Sequence, residues 1–382
     1  MHNYDVIVLG CGGVGSAALY HLASEGVRAL GIEQFGIAHH RGSSHGQTRV
    51  IRQAYFEHSD YVPLLLASYQ QWHDLEQESG QNLFRRVGVL EVGAADGVLI
   101  PGVLESARRY GLLLEQLNEQ ELARRFGGFR IPPDSVAVFE ENAGYLLVED
   151  AIRTYLDRAM ALGAELKTDQ PVRDWHVTGD SVQVDCGKES YSASKLIVTT
   201  GAWAAPMLRS LGVELQVLPK HVHWYANESA DYRDGCPAFF YETSRGCYYG
   251  FPQINERGVK IGEHSGGVPV SDPADAPTDV DPVDRQRTSD FLRDYLPGVS
   301  SRPLDHSVCF YTKSPDEHFI IDRHPKYANV AFAAGLSGHG YKFAPVLGQT
   351  LAELVLRGTP TLPVEFLSLD RFNVHYHKSR ND

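Results

Sequence analysis

A glycine-rich turn, GCGGVG, follows directly on the first apolar run of the chain, residues 5–9. In such a turn Gly10 makes the tight bend, Gly12 lets the backbone approach a pyrophosphate, and Gly15 lets the next helix pack closely on the strand. Glu33 ends the second apolar run, where a carboxylate binds ribose hydroxyls. Strand, turn, helix, strand and acid in this order predict a Rossmann-like dinucleotide-binding fold, without distinguishing FAD from NAD.

The rest of the chain predicts a second domain inserted into the first. With 382 residues the chain is too long for one simple core. Segments of β character alternate with segments that return to the helix-and-strand pattern of the first domain. We therefore predict an α/β protein, α+β as a whole. Its cofactor-binding domain comprises residues 1–83, 150–214 and 315–382, and a mainly antiparallel β domain for the substrate comprises residues 84–149 and 215–314.

Local patterns predict individual elements. Helices are expected at residues 14–25, 61–78, 151–162 and 345–357, strands at 27–32, 196–201 and 329–334, and a hairpin at 172–186. Residues 37–53 are expected to form a loop held by a ligand, and residues 266–284 a solvated surface crossing. Asp60 is the expected N-cap of the second helix.

Composition limits the partners and the compartment. A net charge of −13 argues against binding to nucleic acid or to an anionic membrane surface. No apolar stretch approaches the roughly 18 residues of a membrane span, and the N-terminus lacks the pattern of a secretory signal. Five cysteines without paired spacing are typical of reduced thiols, so a cytoplasmic protein is expected.

Four further motifs distinguish between the possible cofactors. They are GSSHGQTRVIR at residues 42–52, YYGFP at 248–252, VCFYT at 308–312 and SGHGYK at 337–342. Together, and nearly from end to end, the sequence resembles the monomeric sarcosine oxidase family, which includes N-methyltryptophan oxidase and pipecolate oxidase. Members of that family are flavoproteins that oxidise secondary amines of amino acids. The resemblance implies a D-amino-acid-oxidase-like two-domain flavoprotein with FAD, acting as a monomer on a small amino acid and O2.

The resemblance also implies how FAD is held. The family attaches FAD covalently through a cysteine thioether, and Cys309 matches that cysteine. The alternative is a buried, inert cysteine, the usual fate of a lone thiol. Thr48, Gly338 and Gly340 match further cofactor-binding positions.

The polar segment around residue 45 predicts anion binding, because so many hydrogen-bond donors need acceptors. By the resemblance, His45 and Arg49 lie against the flavin, where a fixed positive charge favours the reduced ring. Arg52 and Lys342 hold the substrate carboxylate. A solvated surface cluster of arginines is the alternative. The histidines of residues 39–45 lack a Cys, Asp or Glu at ligand spacing, so no metal is expected.

A third group matches the family's reaction pocket. Lys260 and His264 are separated by an even number of positions on a predicted strand and therefore face the same way. By the resemblance, Lys260 promotes the reaction with O2, since an ammonium stabilises developing superoxide. His264, Tyr249 and Tyr311 match pocket residues, and for the two tyrosines ordinary core packing is the alternative.

The predicted reaction is oxidation of sarcosine or another N-methyl amino acid, such as N-methyltryptophan, to an imine that hydrolyses to formaldehyde and a primary amine, while O2 becomes H2O2. The alternatives are an oxidase of a cyclic imino acid (pipecolate or proline), a dehydrogenase, and a flavin-binding protein without catalysis. Departures from the family at Ser44, Gln47, residues 56–58 and Phe240 leave the substrate's side chain open.

Overall fold

The computed structural model describes residues 2–372. Its strands are β1 (His2–Leu9), β2 (Ala29–Ile32), β3 (Thr48–Ile51), β4 (Phe84–Arg85), β5 (Val89–Ala94), β6 (Glu115–Leu117), β7 (Ser135–Glu140), β8 (Gly144–Leu147), β9 (Glu165–Lys167), β10 (Asp174–Thr178), β11 (Ser181–Asp185), β12 (Ser190–Val198), β13 (Gln216–Asn227), β14 (Ala238–Thr243), β15 (Gly246–Phe251), β16 (Val259–Glu263), β17 (Val299–Lys313), β18 (Ile320–His324) and β19 (Tyr327–Ala334). Its helices are α1 (Gly13–Ser24), α2 (Val62–Ser79), α3 (Leu99–Tyr110), α4 (Glu119–Arg125), α5 (Val148–Ala161), α6 (Ala204–Met207), α7 (Pro282–Tyr295) and α8 (Ala344–Leu356).

The glycine turn follows β1, a strand of a sheet whose inner strands run parallel to one another. The strand order is β10-β11-β12-β1-β2-β9, with β19 beside β12 and β18 beside β19. Strand β1 runs parallel to β2 and β12, and its apolar residues alternate between two cores, one of which it shares with α1, α5 and α8. Burial on both faces explains the unbroken apolar run of β1.

Two glycines close this first turn. Gly10 has φ +81, and a Cβ on Gly15 would lie 1.8 Å from the Gly10 carbonyl oxygen. The positive φ of Gly10 favours a residue that has no Cβ, and the short distance at Gly15 leaves no room for any side chain. Helix α1 therefore begins in close contact with the end of β1.

The second large sheet is mainly antiparallel and has the order β17-β13-β16-β15-β14-β5-β7-β6. Only β14 and β5 pair in parallel within it. Strands β3, β8 and β4 form a separate small sheet. The predicted division into two discontinuous domains stays a prediction, and the last ten residues of the segment 315–382 lie outside the described residues.

Most predicted elements are present, and three predictions are wrong in part. The four predicted helices correspond to α1, α2, α5 and α8, and the hairpin to β10 and β11. The segment 37–53 is not all loop, because β3 pairs with β8. Asp60 does not cap α2: it lies in a short 3-10 turn capped by His58, and α2 begins at Val62. The crossing 266–284 is largely exposed as predicted, but Asp281 near its end caps α7, a helix that was not predicted.

Three further features of residues 2–372 concern membranes, metals and disulfides. No helix in that part of the chain is long and apolar enough to cross a bilayer. No group of three or more His, Cys, Asp or Glu side chains there is placed to hold a metal ion. All five cysteines are free thiols.

Candidate functional site

The carboxyl ends of β1, β2 and β12 open on a cavity of about 210 Å³. Gly10, Gly12 and Glu33 line it, as do Gly338 and Gly340 from the C-terminal glycine segment. A Cβ on Gly12 would meet nothing within 4 Å, so its backbone faces open space. The crevice at the carboxyl ends of parallel strands, beside a helix N-terminus, is the usual place for a nucleotide.

The donors and acceptors around this cavity fit a dinucleotide. Glu33 accepts hydrogen bonds from the amides of Cys11 (2.9 Å) and Phe35 (3.0 Å), which fix its carboxylate and leave lone pairs for ribose hydroxyls. Helix α1 has no acidic side chain in its first turn and no side-chain cap, so its N-terminal dipole is available to phosphates. Within the described residues, the hydroxyls of Thr200 and Thr312 are buried without a hydrogen-bond partner, although both residues line the cavity. Such orphaned groups fit a ligand that supplies the missing partners.

A second, smaller cavity of about 50 Å³ adjoins the first. Four residues line both cavities: Arg49, Tyr311, Gly338 and Tyr341. A small molecule in the second cavity is therefore one side chain away from a ligand in the first. Such proximity allows electrons to pass between two bound molecules.

Two cations lie in one corner of the second cavity. Arg52 is 3% exposed; its Nη2 donates to Glu57 Oε2 at 2.9 Å, and its Nε lies 3.2 Å from Glu91 Oε1. Lys342 Nζ donates to the carbonyl oxygen of His339 at 2.8 Å. Burial, and next the charge of Arg52, lowers the pKa of Lys342 to about 7. Burial opposes the charge of Arg52 as well, but Glu57 and Glu91 raise its pKa above the ordinary value.

Aromatic rings form another wall of this cavity. The Tyr311 hydroxyl lies 3.1 Å from Nδ1 of His264, and the Phe240 and His264 rings meet edge to face with centroids 5.5 Å apart. Burial lowers the pKa of His264 to about 3 and raises that of Tyr249 and Tyr311, so all three are neutral at pH 7. The wall is thus uncharged, in contrast to the corner that holds the two cations.

Arg49 and His45 differ in charge. Arg49 donates to the carbonyl oxygens of Thr48 (2.8 Å) and Ser43 (2.6 Å). Burial, followed by the charges of Arg49 and Lys260, lowers the pKa of His45 to about 3. Of the two residues expected to place positive charge at the flavin, only Arg49 carries it at neutral pH.

Lys260 is held by the segment that contains His45. Its Nζ donates to Gly46 O (2.6 Å), Thr48 O (2.9 Å) and Thr48 Oγ1 (3.3 Å). Burial lowers the pKa of Lys260 well below its ordinary value, but the three acceptors match the three donors of an ammonium. Neither Lys260 nor Thr48 lines either of the two cavities. The expected contact of Thr48 with the cofactor therefore stays a prediction.

Cys309 lies on β17 opposite Lys220 of β13 and is 1% exposed. The next residues along the strand, Phe310 and Tyr311, line the first cavity. Cys309 is also close enough to Arg49 to act on its charge. Cys309 itself lines neither of the two cavities, so its contact with the cofactor and a covalent link stay predictions.

Two residues of this site were not singled out in the sequence. Glu91 is a charged residue within the apolar strand β5, and that contrast was the available signal. His339 stands between Gly338 and Gly340 in a motif that the sequence did highlight, and its Nδ1 lies 2.6 Å from the Tyr55 hydroxyl. Nothing in the sequence pairs either residue with its partner, because the contacts join distant segments.

Comparison with known proteins agrees with this geometry. The family model described as DAO, FAD dependent oxidoreductase, matches residues 5–354. The chain is 40% identical to a monomeric sarcosine oxidase of Bacillus sp. (strain NS-129), over 97% of both chains. It is 36% identical to an N-methyl-L-tryptophan oxidase of Salmonella typhimurium, over 97% of this chain and 100% of the relative.

Solved structures share the fold. NikD, an amino acid oxidase of nikkomycin biosynthesis, superposes in its open form with a TM-score of 0.85 at 24% identity, over 96% of this chain and 98% of NikD. L-proline dehydrogenase from P. horikoshii gives a TM-score of 0.84 at 21% identity, over 97% of this chain and 98% of the other. At this identity the likeness concerns the fold alone. The predicted α/β fold class of a D-amino-acid-oxidase-like flavoprotein is confirmed.

Proposed function

We propose that this chain, which belongs to the DAO family of FAD-dependent oxidoreductases, oxidises the secondary amine of a small amino acid. O2 is the electron acceptor. The observation that carries this proposal is the second cavity. It adjoins the cofactor cavity, holds Arg52 and Lys342 in one corner, and has a neutral aromatic wall. Arg52 and Lys342 suit a carboxylate, which competes with Glu57 for Arg52, and a neutral aromatic wall suits an uncharged amine.

FAD bound in the first cavity would supply the two-electron acceptor for the amine and the electron donor for O2. Gly12, Glu33 and the N-terminus of α1 are the groups that would hold its dinucleotide part. Arg49 supplies a half-buried positive charge where the two cavities meet, which stabilises negative charge that develops there. We propose further that the link to Cys309 is covalent, which its place beside Phe310 and Tyr311 supports.

The protein residues orient the substrate and keep water away. Arg52 and Lys342 bind the carboxylate, which fixes how far the amine lies from these two side chains. The rings of Tyr311, His264 and Phe240 surround the remaining space and disfavour an ammonium ion, so the amine binds in its neutral form. With its proton already lost, the amine needs no side chain as catalytic base. An N-methyl substrate then yields, after hydrolysis of the imine, formaldehyde and the primary amine.

We propose that Lys260 serves the second half of the reaction. Its ammonium is held at the segment between His45 and Arg49 by three acceptors. An ammonium at this place stabilises the negative charge that O2 acquires as it is reduced to H2O2.

A peroxide assay across four substrate classes tests the function. We expect sarcosine or another N-methyl amino acid to give one H2O2 and one formaldehyde per turnover. Peroxide from pipecolate or proline without formaldehyde would favour the cyclic imino acid instead. Absence of peroxide with every one of these substrates, from a preparation that contains FAD, would overturn the proposal.

We also propose that the protein works as a monomer in the cytoplasm. Five free thiols and a net charge of −13 are compatible with a reducing compartment and with a dispersed, highly charged protein. Light scattering during size-exclusion chromatography tests the first point, with 42.3 kDa as the expected mass of the chain.

A further inference from the structure

Glu91 is a fully buried carboxyl group next to the substrate corner. Its side chain is 0% exposed, and within the described residues neither carboxylate oxygen accepts a hydrogen bond. Its ion-pair partner is Arg52, whose Nε lies 3.2 Å from Oε1. A buried acid with so little compensation costs stability, so its presence calls for a physical explanation.

The position of Glu91 is fixed by the substrate sheet. On β5 it stands opposite Phe240 of β14 and Val138 of β7. Arg52 and Glu57 line the second cavity, whereas Glu91 does not. Glu91 therefore contacts the guanidinium from outside the space where a substrate would bind.

We propose that Glu91 is a positioning residue of the carboxylate site, one that orients the Arg52 guanidinium and offsets part of its charge. The substrate carboxylate and Glu91 are like charges on one guanidinium, so each weakens the hold of the other. Where Glu91 is ionised, the site therefore binds a carboxylate less tightly and releases the product's carboxylate more readily. This inference rests on the proposed function of the second cavity.

The charge of Glu91 depends on pH. The groups that act on it are Arg52, Glu140, Glu57 and Lys342. Burial raises the pKa of Glu91 to about 8, while Arg52 opposes the rise. As the pH increases through 8, Glu91 ionises and carboxylate binding at Arg52 weakens. Lys342, with a pKa of about 7, loses its charge over a nearby range and weakens binding as well, so a variant of Glu91 is needed to separate the two effects.

The test measures binding of acetate, a carboxylate without an amine, to the oxidised holoenzyme through the change in flavin absorbance. Wild type and Glu91→Gln are titrated at pH 6.5 and at pH 9. We expect similar dissociation constants at pH 6.5 and about fivefold or more tighter binding by the variant at pH 9. Glu91 raises the pKa of Lys342, but at pH 9 Lys342 is uncharged in both proteins, so the ratio at that pH reports Glu91. With the amine substrate at pH 9, the variant should lower KM more than it changes kcat.

Glu242→Gln is the matched control, since Glu242 lies on the adjacent β14 but accepts hydrogen bonds from the amides of Val98 and Leu99. It should leave acetate binding unchanged at both pH values. If Glu91→Gln does not fold, Glu91→Leu, measured in the same way, decides the matter. A ratio near one at pH 9 overturns the inference while leaving the proposed function intact. Failure of wild type to bind acetate at either pH removes the carboxylate site itself, and both proposals with it.

Discussion

Gly338 lies so close to the ring of Tyr311 that a Cβ on the glycine would stand 2.4 Å from the ring carbon Cδ2. Both residues line both cavities. The C-terminal glycine segment therefore fixes the ring that separates the two spaces, and the ring in turn is hydrogen-bonded to His264. A substitution of Gly338 should therefore weaken both cofactor binding and substrate binding.

We expect Gly338→Ala to impair both kinds of binding. Gly338 has φ +86, so alanine adds backbone strain of about 1 kcal/mol, and the clash with Tyr311 adds roughly 1–3 kcal/mol. Gly80→Ala is the matched control, because Gly80 has φ +68 but a Cβ at this position would meet nothing within 4 Å. Thermal unfolding and the FAD content of both variants measure the difference. Equal effects of the two substitutions would show that the contact with Tyr311 has no part in it.

Cys309 is predicted to carry the flavin. Peptide mapping of the wild type should find the mass of FAD on the peptide that contains this residue, and Cys309→Ser should release its flavin when the protein is precipitated with acid. Cys247→Ser, a half-buried thiol on β15, is the control and should retain it. Full release of FAD from the wild type would contradict the prediction.

The carboxylate corner predicts a dependence on pH. Lys342, with a pKa of about 7, is an ammonium below that value and loses its charge as the pH rises through it. Acetate binding should therefore weaken from about pH 7 upward in the wild type. In Lys342→Arg the guanidinium stays charged, so this first weakening should be absent.

Arg52→Ala should cost roughly 2–5 kcal/mol of carboxylate binding. Lys326→Ala, in the turn between β18 and β19, should have no effect on the titration.

Phe240 is predicted to limit the size of the substrate. Its ring meets those of Phe56 and His264, each at a centroid distance of 5.5 Å. Phe240→Leu should open the cavity and raise kcat/KM for bulkier N-methyl amino acids relative to sarcosine by about tenfold, the effect of about one methylene group in an apolar pocket. Phe239→Leu is the control, since successive residues of a strand point to opposite faces and Phe239 is in a different core cluster. An unchanged preference in Phe240→Leu would assign the selection to another residue.

The local parts of this site could be predicted, and the parts made by distant contacts could not. The glycine turn and Glu33 follow from a short, regular pattern, and the resemblance supplied Arg52 and Lys342. The ion pair between Arg52 and Glu91 joins the residue that follows β3 to a residue of β5 in a different sheet, which no local pattern encodes.

The elements that were not predicted include α7 and β3, whose apolar patterns are weak. Helix α7 buries only Thr288, Phe291 and Leu292, too few for a visible helical period. Strand β3 has four residues, and its pairing with β8 comes from a segment that is distant in sequence. In both cases the tertiary partner, rather than the local sequence, determines the structure.

Lys260 is predicted to separate the two half-reactions. Lys260→Met removes the ammonium but keeps the carboxylate corner, so anaerobic reduction of the flavin by substrate should change little. Each ~1.4 kcal/mol lost from the transition state of oxygen reduction slows it tenfold, and the loss of a buried charge should slow reoxidation by orders of magnitude. Lys220→Met is the matched control, a second buried lysine whose Nζ donates to the Ser265 carbonyl oxygen at 2.7 Å. Stopped-flow measurements of both halves decide the matter: if reduction collapses in Lys260→Met while reoxidation stays fast, Lys260 serves the amine and not O2.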